Sequence, residues 1–364
     1  MAGDHVYYLS NRIRTESTEK VSEKNMCVWS AYTGKRDAAP ILWESLKKIE
    51  GFWGGYYTGL VTGDQNGLHH GKVLGNMEVW QENFDLAGFS GTCGLIHSRT
   101  DSGGDERWGH PFIGCAGKVA LISQGCNGIF SDRANPVLED WGNRMLQNGK
   151  SFPSAIYGQA GRYPVLADGG QVHCGDVGAQ AVEYYYEKWG DPLKAVQHVF
   201  SDITIEDATL FLFADRPGVI VFANANQHLV YQKTADGTYL SISAIGLPGN
   251  CGMELPCNSI GIITPDEIRI EALHERYETD MTIPAGTLSA ALEFIKANPG
   301  KLTGHMADGA LKGLFPRGAL NYRVGAAYRC IETLIAEEKI RVEKVQTVGS
   351  QGTPGTAFRL YAAE

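Results

Sequence analysis

Met26-Cys27-Val28-Trp29-Ser30-Ala31-Tyr32-Thr33-Gly34 is the stretch on which the reading of this chain turns. A cysteine heads a run of β-branched and aromatic residues that favours a strand. Were the chain to begin at Cys27, through a start at Met26 or removal of residues 1–26, that one residue would own both a thiol and a free α-amine. An α-amine titrates at about 7.7–8.0 and a free thiol near 8.5, so the amine takes the thiol proton directly or through one water. The same cysteine inside the chain, and buried, is an ordinary small core residue, as free cysteines commonly are. The chemistry therefore depends on whether that terminus exists.

Before Cys27 the chain has a different character. Residues 1–25 are polar, mixed in charge and without helical or strand periodicity, so residues 1–26 read as a leader, a propeptide or an extension from an upstream start. They lack the basic start and apolar stretch of a secretory signal, and no apolar run approaches the length of a membrane span. A soluble, cytoplasmic protein is expected. The eight cysteines, at 27, 93, 115, 126, 174, 251, 257 and 330, show no paired framework, and Cys251 with Cys257 lacks a second pair or histidines at zinc-site spacing. Reduced thiols are expected. His69 and His70 would face opposite sides of a strand, which argues against a shared metal, and no phosphate-binding glycine loop occurs, so no cofactor is implied. A formal net charge of −9 argues against a chain built as a whole to bind nucleic acid.

With 364 residues, 43% of them hydrophobic, the chain can bury one large domain and a smaller one without metal or disulfide support. From Cys27 onward short apolar runs at 27–33, 55–63, 67–73, 92–99, 118–123, 208–214, 219–223 and 239–243 read as strands separated by glycine-rich turns. Helical periodicity appears at 38–49, with Ile41, Leu42, Leu46 and Ile49 on one face, and at 179–188 and 192–200. Many antiparallel-looking strands with few helices predict an α+β layered architecture over residues 27–284. Near Pro284 the pattern shifts. Helices at 288–297, 306–314 and 320–338, then a hairpin of 340–348 with 357–361 around Gly349-Ser350-Gln351-Gly352, suggest a winged-helix-like domain over 285–364. Residues 286–364 hold ten Lys and Arg against seven Asp and Glu, so contact with DNA or with a protein is open to this module.

Several segments carry chemistry. His97-Ser98-Arg99-Thr100-Asp101-Ser102-Gly103-Gly104 ends a strand with an arginine, whose planar guanidinium can grip a carboxylate through two parallel hydrogen bonds. His97 itself reads as a core histidine at a strand end. Around this block lie 49–59, Gly71-Lys72-Val73, the run 110–122 that starts His110-Pro111-Phe112, then Gly175-Asp176-Val177-Gly178, the turn and strand at 215–224, and Gln227-His228-Leu229-Val230.

In this collinear order, over about residues 27–245, the chain resembles the glutaminase domain of class II glutamine amidotransferases. The family's His-Thr-Arg-x-x-Thr-His-Gly is matched at His97, Arg99 and Gly104, has Ser102 for the threonine, and loses its second histidine to Gly103. The family's arginine in the segment matching 49–59 is absent. The strand within 110–122 should lead to His-Asn-Gly, whose Asn side chain and Gly amide form an oxyanion hole. Counting from Pro111 puts Gln124 and Gly125 there; a shift of three residues puts Asn127 and Gly128 there, and the two stay open. Such donors stabilise charge that exists only in the tetrahedral intermediate, and losing one commonly costs about 2.7–4 kcal/mol. The family's acidic residue for the substrate amine corresponds to Asp176, which also suits the start of the helix at 179 as a cap.

The resemblance implies a four-layer αββα N-terminal-nucleophile domain that hydrolyses glutamine to glutamate and ammonia. It assigns Cys27 as nucleophile and Arg99, Ser102 and Asp176 to the substrate. The roughly 120 residues after it are too few for a sugar-isomerase or phosphoribosyltransferase domain, so either the ammonia acceptor is a separate synthase subunit or there is none. The lost motif residues leave two other readings: a glutamine sensor without turnover, and an amidase for another amide.

Overall fold

The computed structural model describes residues 27–126, 131–158, 161, 163–203, 206–273, 280–316 and 322–363. The chain opens with β1 (Val28–Gly34) and α1 (Ala38–Ile49), then β2 (Tyr57–Asp64), β3 (Gly67–Leu74), α2 (Met77–Asn83) and β4 (Cys93–Arg99). It continues through β5 (Phe112–Ile113), β6 (Val119–Cys126), α3 (Ser131–Gln147), α4 (Cys174–Trp189), α5 (Pro192–Phe200), β7 (Glu206–Phe213) and β8 (Ile220–Ala225). Next come β9 (Val230–Thr234), β10 (Gly237–Ser241), β11 (Met253–Glu254), β12 (Ser259–Ile263) and β13 (Ile268–Ala272). A C-terminal module holds α6 (Thr287–Ala297), β14 (Lys301–Leu302), α7 (Thr303–Met306), α8 (Arg323–Ala336), β15 (Ile340–Val348) and β16 (Pro354–Ala362).

Two antiparallel sheets form the body, one ordered β11-β9-β10-β1-β4-β2-β3 and the other β13-β12-β8-β7-β6-β5. Period-two side-chain alternation explains how they stack. In the second sheet Ala120, Ile122, Ala208, Leu210, Leu212, Ile220 and Phe222 join the core shared with the first sheet. Their neighbours Val119, Leu121, Phe211, Phe213, Val221 and Ala223 turn outward into a second core under α3, α4 and α5. In the first sheet β1 is buried on both faces. Ser30 points to α1, where Ser45 Oγ donates to it at 2.7 Å, while the strand partner of Trp29, His97, reaches across the sandwich to the Ser123 carbonyl at 2.9 Å. The layers thus run helix, sheet, sheet, helix. Leu42, Trp43, Leu46 and Ile49 of α1 are buried on the first sheet, each worth about 1.5–3 kcal/mol when fully removed from water. α1 can sit so low because Gly94 has no side chain: a Cβ there would lie 2.8 Å from Leu42 Cδ1.

The C-terminal sheet is ordered β14-β16-β15. It is bound closely to the body, since Thr356 N–H donates to the Gly55 carbonyl at 3.0 Å, Phe358 N–H to Gly51 at 2.7 Å, and Asn76 N–H to Pro354 at 3.1 Å. Phe52 meets Phe358 edge-on at 4.6 Å. The glycine-rich segment 51–55 is therefore shaped for β16, with Gly51 and Gly55 at φ of +111° and +113°.

Some sequence expectations are corrected. The helix expected from 179 starts at Cys174, capped by the His173 imidazole, whose Nδ1 accepts from Gly175 N–H at 3.0 Å, so Asp176 lies inside the first turn and is not the cap. The helix expected at 306–314 is a short α7 followed by a wider π-type turn at Ala307–Leu311. α2, α3 and strands β9, β12 and β13 were not expected. Among the described residues no helix is long and apolar enough to cross a membrane.

Candidate active site

Cys27 stands one residue before β1, and the register Val28↔Ser98 carries it alongside Arg99, the last residue of β4. The thiol is buried, and burial pushes it up to about 11 against the opposing pull of the Arg99 charge and of Thr100 hydrogen bonds. At neutral pH it is a thiol and needs a base. The Cys27 carbonyl accepts from the Tyr328 hydroxyl at 3.4 Å.

Arg99 is 1% exposed. Its Nη1 donates to the Gly103 carbonyl at 2.9 Å and its Nη2 to the Tyr163 hydroxyl at 3.2 Å, while the guanidinium lies over Tyr57 at 4.6 Å and Trp108 at 5.9 Å. Among the described residues no carboxylate pairs with it. A buried guanidinium held by a carbonyl, a phenol and two ring faces is a cation short of its anion.

The loop after Arg99 is shaped by two glycines. Gly103 and Gly104 hold φ of +91° and +80°, and a Cβ at Gly104 would fall 2.2 Å from the Trp108 ring. A histidine at 103, as the amidotransferase pattern has it, would be strained there. Ser102 sits in this loop with its N–H on the Thr100 carbonyl at 3.0 Å and its Oγ accepting from Thr100 at 3.4 Å.

Asp176 is buried and accepts from Ser154 N–H at 2.9 Å, Ser154 Oγ at 2.7 Å and Gln180 Nε2 at 2.9 Å. These bonds join α4 to the 151–154 segment. Its nearby cation is Lys72, whose ammonium donates to the carbonyls of Arg107, Gly109 and Pro111 at 3.1, 2.7 and 3.2 Å, and burial brings that lysine down to about 8. Lys72 pins the turn that leads into His110 and Phe112.

Gln124 and Gly125 lie within β6, paired with Ala208 and Asp207 of β7. The Gln124 side chain is buried, its Nε2 donates to Gln227 Oε1 at 3.4 Å, and its Oε1 has no partner among the described residues. Asn127 and Gly128 lie outside the described residues. His97 donates through Nε2 to the Ser123 carbonyl and is brought down to about 3 by burial, so it is a neutral core histidine. Among the described residues no group of three or more His, Cys, Asp or Glu side chains is placed to hold a metal ion.

The structure adds groups that the sequence did not indicate. Asp207 is buried beside Gly125, is pushed up to about 8 by burial, and raises the Cys27 thiol when charged. Tyr57, Trp108 and Tyr163 form the wall around Arg99, and Tyr57 and Tyr163 lie too far from it in sequence for any local pattern to indicate them. Tyr328 comes from α8, which no local pattern connects to Cys27.

No model of a protein family matches the chain. Its fold is that of known amidotransferases. Glutamine phosphoribosylpyrophosphate amidotransferase from B. subtilis, solved with ADP and GMP, superposes with a TM-score of 0.54 over 93% of this chain and 72% of that one at 13% identity. The structure of the allosteric regulatory enzyme of purine biosynthesis gives a TM-score of 0.53 over 76% and 59% at 14% identity. In sequence, glutamine–fructose-6-phosphate aminotransferase of Caldanaerobacter subterraneus subsp. tengcongensis is 27% identical over 212 residues, 56% of this chain and 29% of that protein. The enzyme of the same name from Gloeobacter violaceus is 32% identical over 104 residues, 28% of this chain and 17% of that protein. The chain carries a class II glutamine amidotransferase domain, and it spans less than a third of the length of these curated relatives.

Proposed function

We propose that this chain hydrolyses the side-chain amide of glutamine. The observation that carries the reading is Arg99: a fully buried cation without a carboxylate partner among the described residues, level with Cys27. An α-carboxylate bound there satisfies the guanidinium and aims a side-chain amide toward the thiol. The Cys27 sulfur then forms a bond to the amide carbon, and its thiol proton passes to the α-amine exposed once residues 1–26 are removed. That amine gives the proton to nitrogen as the carbon–nitrogen bond breaks and ammonia leaves, and water cleaves the acyl-enzyme to glutamate. Gln124 with Gly125, or Asn127 with Gly128, holds the oxyanion, and Ser102 and Asp176 take the amino-acid end. The ammonia goes to a separate synthase subunit. The C-terminal module, with its helix-strand-helix-helix-strand-strand order, is a winged-helix-like unit, and we place the protein in the cytoplasm, in keeping with the free thiols of the described cysteines.

The high Cys27 thiol supports a second reading, a sensor that binds glutamine without turning it over when Cys27 lies inside the chain. One experiment separates the two. Glutamine binding by calorimetry and ammonia release are measured on the full chain, on a chain starting at Cys27, and on Cys27→Ala. Release only from the chain starting at Cys27 supports the hydrolase; binding without release in every form supports the sensor; release by Cys27→Ala rejects the nucleophile.

A further inference from the structure

The C-terminal module grips the site from two sides. Tyr328, midway along α8, is fully buried with its ring between Trp53 at 4.5 Å and His228 at 5.4 Å, and its hydroxyl donates to the Cys27 carbonyl. Its neighbours on α8 are tied to the body too: Glu332 accepts from Ser243 Oγ at 2.7 Å and Ala244 N–H at 2.8 Å, and Arg329 pairs with Glu254.

On the other side, the tip of the β15–β16 hairpin lies on the loop after Arg99. Ser350 donates through N–H and Oγ to the two Asp101 oxygens at 2.5 and 2.7 Å. Gln351 Nε2 donates to the Tyr57 hydroxyl at 3.0 Å and to the Gly104 carbonyl. These are not remote surfaces. Tyr57 is the ring under the guanidinium, and the carbonyl of Gly103 in the same loop is its hydrogen-bond acceptor. A loop with two glycines at positive φ is costly to order, and an external tie to it lowers the cost that substrate binding would otherwise meet.

We propose that the C-terminal module is a clamp in cis on the glutamine site, with Tyr328 positioning the Cys27 backbone and Ser350 positioning the 101–104 loop. The proposal rests on the glutamine reading above. The module's last helix is thereby spent on the body: the polar side chains of Arg329 and Glu332, which a free helix would offer to a partner, are engaged by Glu254, Ser243 and Ala244.

The test makes Ser350→Ala and Tyr328→Phe in the chain starting at Cys27, the form the hydrolase reading makes active, and compares each with its parent, with exchange and alkylation repeated on the full chain. Ser350 is exposed, and Tyr328→Phe keeps the ring between Trp53 and His228, so melting temperature should stay near that of the parent in both. Ser350→Ala should speed backbone hydrogen exchange at residues 100–104 by about tenfold, because hydrogen bonds to a carboxylate commonly carry that much, and should raise KM with kcat little changed. Tyr328→Phe should lower kcat at constant KM and shift the pH profile of Cys27 alkylation by iodoacetamide. Unchanged exchange in the first variant or an unchanged alkylation profile in the second overturns the clamp. Both readouts work without turnover, so a chain inert toward glutamine that still shows both changes keeps the clamp and loses the hydrolase.

Discussion

The carbonyl oxygen of Thr356 occupies the space that a side chain on Gly55 would need, 2.2 Å from where its Cβ would be. Both groups are backbone, and Gly55 already holds φ of +113°, so neither rotamer change nor small rotation relieves the contact. Gly55→Ala should lower stability by about 2–4 kcal/mol. Gly88→Ala, where nothing lies within 4 Å, is the control and should stay within about 0.5 kcal/mol, both read by denaturant unfolding.

Removing the Arg99 charge should move stability and binding in opposite directions. A buried cation without a carboxylate partner among the described residues is a cost to the empty protein, so Arg99→Met should leave it as stable or more stable. The same change should weaken glutamine binding by at least about 10–150-fold, the worth of one charge-assisted hydrogen bond. Melting temperature and calorimetry on the one variant check both signs; a variant that binds glutamine normally would sink the assignment of Arg99.

Docking of α8 should depend on pH through His228. Burial alone would lower this histidine, but its contacts with Glu254 at 2.7 Å and Glu332 at 3.8 Å more than offset that and raise it. Tyr322, Tyr328 and Arg329 are the other groups at this junction. A raised folded value means the stabilisation is complete below the unfolded value of about 6.5 and is lost as pH rises through the folded one. Glu254 is held down to about 2, so its share is complete above an unfolded value of about 4.3 and is lost as pH falls. Protection of 323–336 against hydrogen exchange, taken relative to the intrinsic rate at each pH, should be greatest between about pH 4.3 and 6.5. His228→Gln should remove the loosening at higher pH.

Asp207 sets a second dependence of opposite origin. Burial raises its carboxyl to about 8, so the folded chain holds a proton there that the unfolded chain has released. Stability should fall as pH rises from about 4 to the folded value, then level off. Asp207→Asn should abolish that slope and add about 2–4 kcal/mol at pH 7, measured by urea unfolding across pH.

Much of the body was legible because its strands are apolar runs and α1 repeats its apolar positions at helical spacing. The rest depended on distant partners. α2 begins where the Glu50 carboxylate accepts Met77 N–H at 3.0 Å and Asn76 accepts Val79 N–H at 3.2 Å, a start built in part from another element. α3 contains Pro136 and Gly142, both poor helix residues, and Gly142 is needed because a Cβ there would meet Leu166 at 2.4 Å. The α4 start was misread because histidine is an unusual cap, while Asp176 nearby is a usual one. Around the site, Cys27, Arg99 and the loop through Gly104 could be picked out, since strand register brings them together. Tyr328 lies 301 positions from Cys27, and only the tertiary fold joins them.

Glu50 shows what such joining means for a chain made from one end. This carboxyl is wholly buried at the end of α1, accepts from Thr58 and Ser98 at 3.1 Å each, and has its remaining oxygen 3.9 Å from the ammonium of Lys344. The carbonyl of Gly55 likewise waits for Thr356. Synthesis delivers α1 and β2 well before their partners, and the corner between them receives its lid and its counter-charge only when Lys344, Thr356 and Phe358 emerge. On the ribosome, this corner stays open until residues about 300 positions further along have been made.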